Sequence, residues 1–226
     1  MKTYDILLVD ADDTIFDFSI AEDKALYAAC GAMGISVTAD QAAEYKRINE
    51  SLWRAFQRKE VTQEALKVLR FERFLQYLGL EYSAQEMADA FVAGLSLQTD
   101  EIDGAFDFLQ EAAARVPVIV VTNGIVSVQR SRFGLSRLQQ FIAGHVISGE
   151  VGFAKPDPRM ITHALELGGK AAGQALMLGD EPTSDIAAAN AAGVDSCWFN
   201  PSGRVNQTPY IPTYEVRALD EVLQWL

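Results

Sequence analysis

Four aliphatic residues, Ile6-Leu7-Leu8-Val9, run straight into Asp10-Ala11-Asp12-Asp13-Thr14. A short apolar run ended by a sharp polar turn reads as an interior strand of a parallel sheet, buried on both faces. In open α/β sheets, chemistry collects beyond the carboxyl ends of the strands. Asp10 is expected at that end, and Asp12 two residues on, in the loop that follows. Read as chemistry, Asp10 is a nucleophile and Asp12 a general acid/base. Taken alone, an Asp-x-Asp equally suits a turn or a helix cap.

After Thr14 the periodicity becomes helical for a long stretch. Ser19 with Glu22 forms a capping-box pair before Ala25-Leu26-Tyr27-Ala28-Ala29. Thr38 with Gln41 opens a second helix bearing Tyr45, Ile48, Leu52, Ala55 and Phe56. Thr62 caps a third, and Ser83 with Glu86 opens a fourth. Four helices without an intervening strand predict a separate unit over residues 17–97.

Strands and helices then alternate. Val118–Val121 is a second buried strand, ending at Thr122-Asn123-Gly124. Gly144–Ile147, Ala175–Leu178, Cys197–Phe199 and Tyr214–Val216 are further strand candidates. Helices are expected over 103–115, from Asp157 as N-cap with Pro158 at the first position, over 184–192, and over 219–226. The expected fold is therefore α/β, a three-layer, Rossmann-like, mostly parallel sheet core of residues 1–16 and 98–226. A helical cap, 17–97, is inserted after the first strand, where it can cover a site at the carboxyl edge.

The formal net charge of −12 argues against a nucleic-acid polymer or an anionic membrane as partner. A small phosphate ester remains compatible, because one bound cation inverts the local field. Cys30 and Cys197 lack metal-type spacing and are expected to be reduced, as in a cytoplasm. No apolar run reaches membrane-spanning length, and no leader is expected before the first strand. His145 and His163 read as structural or surface residues.

The strand ends bring together Asp10, Asp12, Thr122, Asn123, Gly124, Asp180 and, five residues on, Asp185, with Lys155 preceding a helix. Singly, each has an ordinary reading as a turn residue, a cap or a surface lysine. Together they do not. Like charges at 4 Å repel by about 4 kcal/mol per pair at an effective dielectric near 20. A divalent cation and one lysine neutralise such a cluster. Oxygen-only ligands select a hard ion, and Mg²⁺ takes a few carboxylates with water and phosphate oxygens. That assembly suits phosphoryl transfer. Lys155, the Thr122 hydroxyl and the backbone N–H groups of Asn123 and Gly124 would bind the phosphate. Asp10 would attack phosphorus, and Asp12 would serve the leaving group and then water.

Asp10-Ala11-Asp12-Asp13-Thr14, Thr122, Lys155-Pro156 and Gly179-Asp180-x-x-x-x-Asp185 resemble the four ordered motifs of the haloacid dehalogenase superfamily. The resemblance implies Asp10 as nucleophile and Asp12 as acid/base. It also implies Mg²⁺ on Asp10, the Asp12 carbonyl and Asp180, with Asp185 in support. An aspartate at position 12 looks like the phosphatase and mutase branches, not the dehalogenases. The usual glycine after it is Asp13 here. The insert resembles a helical C1-type cap. Asn49-Glu50-Ser51-Leu52-Trp53, Arg70-Phe71-Glu72 and Cys197-Trp198-Phe199-Asn200 look more narrowly like the pyrimidine 5′-nucleotidases. This implies a nucleoside monophosphate, with Asn49, Trp53 and Arg70 facing the base, or Phe16 and Phe18 forming an apolar lid. A sugar phosphatase or phosphomutase with the same core is the nearest alternative. A phospho-accepting signalling domain fits less well, because it places its acceptor aspartate on a later strand.

Overall fold

A computed structural model describes residues 2–226. Among them, six strands form one parallel sheet in the order β3-β2-β1-β4-β5-β6. These are β1 (Ile6–Val9), β2 (Val118–Thr122), β3 (Gly144–Ile147), β4 (Ala175–Gly179), β5 (Asp195–Phe199) and β6 (Tyr214–Val216). Strand β1 lies in the middle, with Leu7 in register with both Val118 and Leu176. The chain builds the sheet outwards in one direction through β2 and β3, then in the other through β4 to β6. That reversal at β1 is a topological switch point, where a crevice opens beyond the carboxyl ends.

The two faces of β1 follow the period of a strand. Leu7 and Val9 join Ala105, Phe108, Leu109 and Ala112 of α5 (Ala105–Ala113), together with Leu219 and Val222. Ile6 and Leu8 join Met160, Ile161 and Ala164 of α8 (Arg159–Gly168), which follows the short α7 (Ser148–Val151), and Ala188 and Ala189 of α9 (Ala187–Ala192). This is why the strand reads as an unbroken apolar run: both faces are covered.

The chain divides into two compact units, residues 1–18 with 99–226 and residues 19–98. The second contains α1 (Phe18–Ala32, from its second residue on), α2 (Ala39–Gln57), α3 (Gln63–Leu78) and α4 (Ala84–Leu95). Thr38 and Gln41 form the capping box expected of them, and the side chains of Thr62 and Ser83 accept from the third-residue N–H of their helices. Tyr45 is the centre of this unit's core, with ring centroids 5.3, 5.4 and 5.6 Å from those of Phe71, Phe74 and Phe91.

Three local readings are corrected. Ser19 does not open α1. The helix starts at Phe18, whose N–H donates to Asp13 Oδ1 at 3.1 Å. Glu22, expected in the capping box, instead turns inwards and accepts from Asn49 Nδ2 at 2.6 Å. The stretch read as a helix over 184–192 begins as a π-helical turn, Pro182–Ile186, before α9. The last segment, Leu219–Trp225, is a 3-10 helix.

Candidate active site

The loop after β1 is folded back on itself. Asp13 has φ 58°, and its N–H donates to the Phe16 carbonyl at 2.8 Å. Few side chains tolerate that left-handed region, aspartate among them. This accounts for Asp13 where a glycine is usual. It adopts the same backbone and also caps α1.

Lys155 lies at the centre of the site and is 1% exposed. Its ammonium donates to Asp10 Oδ1 at 2.6 Å and to the Val121 carbonyl at 2.6 Å, and it pairs with Asp185 Oδ1 at 2.7 Å. Two of the three ammonium donors thus have a hydrogen-bond acceptor, and Asp185 adds an ion pair. Asn123 holds the lysine in place. Its Oδ1 accepts from the Lys155 N–H at 2.8 Å, and its Nδ2 donates to the Lys155 carbonyl at 2.8 Å. The part expected of Asn123 in phosphate binding is its backbone N–H, and its side chain is committed to the lysine's backbone. The Thr122 hydroxyl oxygen accepts from the Gly124 N–H at 3.0 Å. That contact engages the Gly124 N–H and uses the hydroxyl as an acceptor, with its hydrogen directed elsewhere.

Asp10, Asp180 and Asp185 each place a carboxylate oxygen within 4.8 Å of the others. Burial raises the Asp10 pKa most. Lys155 pulls it back, while Asp185 and Asp12 push it further, and it reaches about 8. Burial likewise lifts Asp180 well above the carboxylate range, reinforced by Asp185, Asp10, Asp13 and Glu181. Burial alone would lower Lys155, but Asp10 and Asp185 more than offset it, and its pKa is raised. The cluster holds more negative charge than one lysine balances. Three hard oxygen donors with uncompensated charge fit a divalent cation such as Mg²⁺.

Asp185 reaches this position through the π-helical turn. Its Oδ2 accepts from the Glu181 N–H at 3.0 Å. Its side chain crosses Gly179, where an added Cβ would lie 2.6 Å from the Asp185 Cβ. The Asp180 carbonyl accepts from Trp198 Nε1 and from Arg204 Nη2, both at 2.8 Å. Arg204 follows from Asn200, whose amide brackets the Arg204 N–H and C=O at 2.9 Å each.

Sequence reasoning missed two more residues. On α6 (Val126–Leu135), Gln129 Nε2 donates to Asp12 Oδ2 at 2.7 Å, and Arg132 Nη1 donates to Asp12 Oδ1. Both side chains are fully buried.

Phe16, expected with Phe18 to form an apolar lid, is corrected. It is fully buried in the sheet unit's core, 4.9 Å from the Phe133 ring, and forms no lid. Phe18 is half-buried at the start of α1. In the helical unit, Trp53 is half-buried with its ring edge-on to Phe56. Asn49 and Arg70 are 3% and 1% exposed. Arg70 Nη1 donates to Asn49 Oδ1 at 3.4 Å, and its guanidinium lies 4.4 Å over the Phe91 ring. His145 packs edge-on to Phe133, and His163 stacks near Phe153. Cys30 and Cys197 are buried thiols. Among the described residues, no helix is long and apolar enough to cross a membrane.

Residues 4–193 match the family pattern described as haloacid dehalogenase-like hydrolase. The chain belongs to this family of hydrolases. The Bacillus subtilis protein YfnB is 36% identical over 98% of this chain and 95% of its own length. A crystal structure of YfnB bound to magnesium matches with a TM-score of 0.93, covering 99% of this chain and 98% of that one. The pyrimidine 5′-nucleotidases PynA of Streptococcus pneumoniae and YjjG of Escherichia coli are 31% and 30% identical over 99% of this chain, and the match covers 95% and 98% of theirs. The chain is thus a hydrolase by family, and its relatives include nucleotidases and phosphatases.

Proposed function

We propose that the protein hydrolyses nucleoside 5′-monophosphates, pyrimidine nucleotides foremost, through a phosphorylated Asp10. The observation that carries the chemistry is the shared lysine. Lys155 joins Asp10, at the end of β1, to Asp185 and to the Val121 carbonyl of β2. The substrate class draws support from two nucleotidases that match almost the whole chain.

Asp10, Asp180 and the Asp12 carbonyl would hold Mg²⁺, with Asp185 behind them, and the ion would neutralise the charge of phosphate and carboxylates. Lys155 and the Thr122 hydroxyl orient the non-bridging oxygens. An Asp10 oxygen forms a bond to phosphorus as the bond to the ribose 5′ oxygen breaks. That oxygen keeps the electron pair and takes the proton of Asp12. Water then attacks phosphorus and gives a proton to Asp12. The bond to Asp10 breaks, and inorganic phosphate leaves. Base selection falls to the helical unit. Trp53 offers an aromatic face, while Asn49 and Arg70, being interior, act by holding Glu22 in place.

Phosphate release from a panel of nucleoside monophosphates and sugar phosphates, with Mg²⁺, tests this reading. Pyrimidine monophosphates should be turned over fastest. Preference for sugar phosphates would retain the Asp10 chemistry and discard the base assignment. Phosphate transfer that requires a bisphosphate activator would identify a mutase.

The cation should also show itself without turnover. Asp10 and Asp180 titrate higher in the folded chain than the ordinary carboxylate value near 3.9. Between that value and about 8, the folded state binds more protons than the unfolded one, so stability falls as pH rises through this window. Mg²⁺ replaces those protons. It should raise the melting temperature by roughly 5–10 °C at a hundred times its Kd, where linkage supplies about 2.7 kcal/mol. The shift should be larger at pH 8 than at pH 5. Equal shifts at both, or none, would exclude the cluster as the cation site.

A further inference from the structure

We infer that Gln129 and Arg132 are positioning residues for Asp12, setting the direction of the carboxylate that handles the reaction's protons. The inference rests on the reading of Asp12 as the acid/base.

Both residues lie on α6, three apart and on one face of the helix. Each gives one donor to a different oxygen of Asp12: Gln129 Nε2 to Oδ2 at 2.7 Å, and Arg132 Nη1 to Oδ1. Two donors on two oxygens fix both the rotation and the tilt of a carboxylate. They do not saturate it. Each oxygen has two lone-pair sites, and the Asp12 side chain remains 25% exposed. Asp12 can therefore still meet a water or a leaving oxygen while held from behind.

The surroundings are arranged for this contact. Arg132 is fully buried, an expensive place for a charge unless it is paired. Its guanidinium lies 4.4 Å over the Phe16 ring, and Phe16 is braced on Phe133. The Gln129 amide crosses Gly124, where an added Cβ would lie 2.7 Å from the Gln129 Cγ. The amide is committed to Asp12 alone, because its own Oε1 is buried with no hydrogen-bond partner. A glutamine serving only local packing would be replaceable by an apolar side chain of the same shape without leaving that acceptor unsatisfied.

The test compares Gln129→Met, which keeps the shape and loses the donor, with the wild type. The substrates are uridine 5′-monophosphate and 4-nitrophenyl phosphate, whose leaving group departs without a proton. For the nucleotide, kcat/KM should fall by roughly 10–100-fold, the scale of a misdirected proton donor. For the aryl ester, kcat/KM should fall less than about threefold, while kcat and KM fall together as the water step becomes limiting. In an Asp12→Asn background, Gln129→Met should cost less than about twofold, because the group it directs is gone. Gln129→Glu, an acceptor in place of a donor, should be worse than Gln129→Met on the nucleotide. Equal loss on both esters, or an undiminished effect of Gln129→Met in the Asp12→Asn background, would overturn the inference. Wild-type protein that hydrolyses neither ester would overturn the reading of Asp12 and the inference with it. Because Arg132→Ala uncovers Phe16, Arg132→Lys is the companion variant. It retains the charge, loses the planar fork, and should show the same split between the two esters.

Discussion

Asp10→Asn should stop turnover, with a loss of about 10⁴-fold or more, while the protein folds as well as the wild type. Asparagine has the shape of aspartate but no carboxylate oxygen able to form and release an acyl phosphate. The folded state has little reason to resist the change. Burial and the neighbouring carboxylates already disfavour charge on Asp10, raising its pKa to about 8. Lys155 keeps its hydrogen bond to the Val121 carbonyl and its ion pair with Asp185. The melting temperature without metal should therefore stay level or rise by a few degrees. Rapid acid quench of the wild type during turnover should trap an alkali-labile phosphoprotein, and the variant should yield none. Turnover within tenfold of wild type would remove Asp10 as the nucleophile. A variant that is inactive because it is unfolded would be exposed by its melt.

Lys155→Met is the second large effect, and its first readout is stability. Methionine fills the buried stem but leaves Asp10 and Asp185 facing each other without their shared cation. Breaking a buried pair by removing one partner costs about 3–5 kcal/mol. For a chain of this length that lowers the melting temperature by on the order of 10 °C. Urea denaturation should show the loss as a lower midpoint at an unchanged slope. Adding Asp185→Asn to the variant should return part of it, because one of the stranded charges is removed. A loss below about 1 kcal/mol would mean that the carboxylates are neutral in the folded protein without the lysine. Activity should also fall steeply, since the proposed reaction uses the same ammonium to orient the phosphate.

The strand ends were legible because a strand buried on both faces has few ways to be written. Ile6–Val9, Val118–Val121 and Ala175–Leu178 are nearly uninterrupted aliphatics, and a polar residue follows each at the carboxyl edge of the sheet. Asp10, Thr122 and Asp180 could be placed on one edge from that alone. The holder of Asp12 was not found, although a trace of it is present. Ile125, Val128, Gln129 and Arg132 follow the spacing of a helix's buried stripe. Two polar residues inside such a stripe imply a buried partner, but which partner depends on contacts more than a hundred residues away along the chain. Ser19 and Glu22 misled for the opposite reason. Their spacing satisfies a local rule, and the Asn49 amide outcompetes it for Glu22. Phe16 read as a lid residue because it follows a catalytic loop. The fold-back at Asp13 instead turns it into the core.

The central place of β1 also bears on how the chain acquires its fold. Leu7 must find Val118 and Leu176, so the first strand made must wait for partners made much later in the chain. The helical unit needs only contacts among residues 19–98. Contacts of short separation form soonest, and closing a long flexible loop carries an entropic penalty that grows with its length. The helical unit should therefore collapse first and shorten the effective loop between β1 and β2. The inserted helices would then act as an internal splint, holding an early strand within reach until its neighbours leave the ribosome.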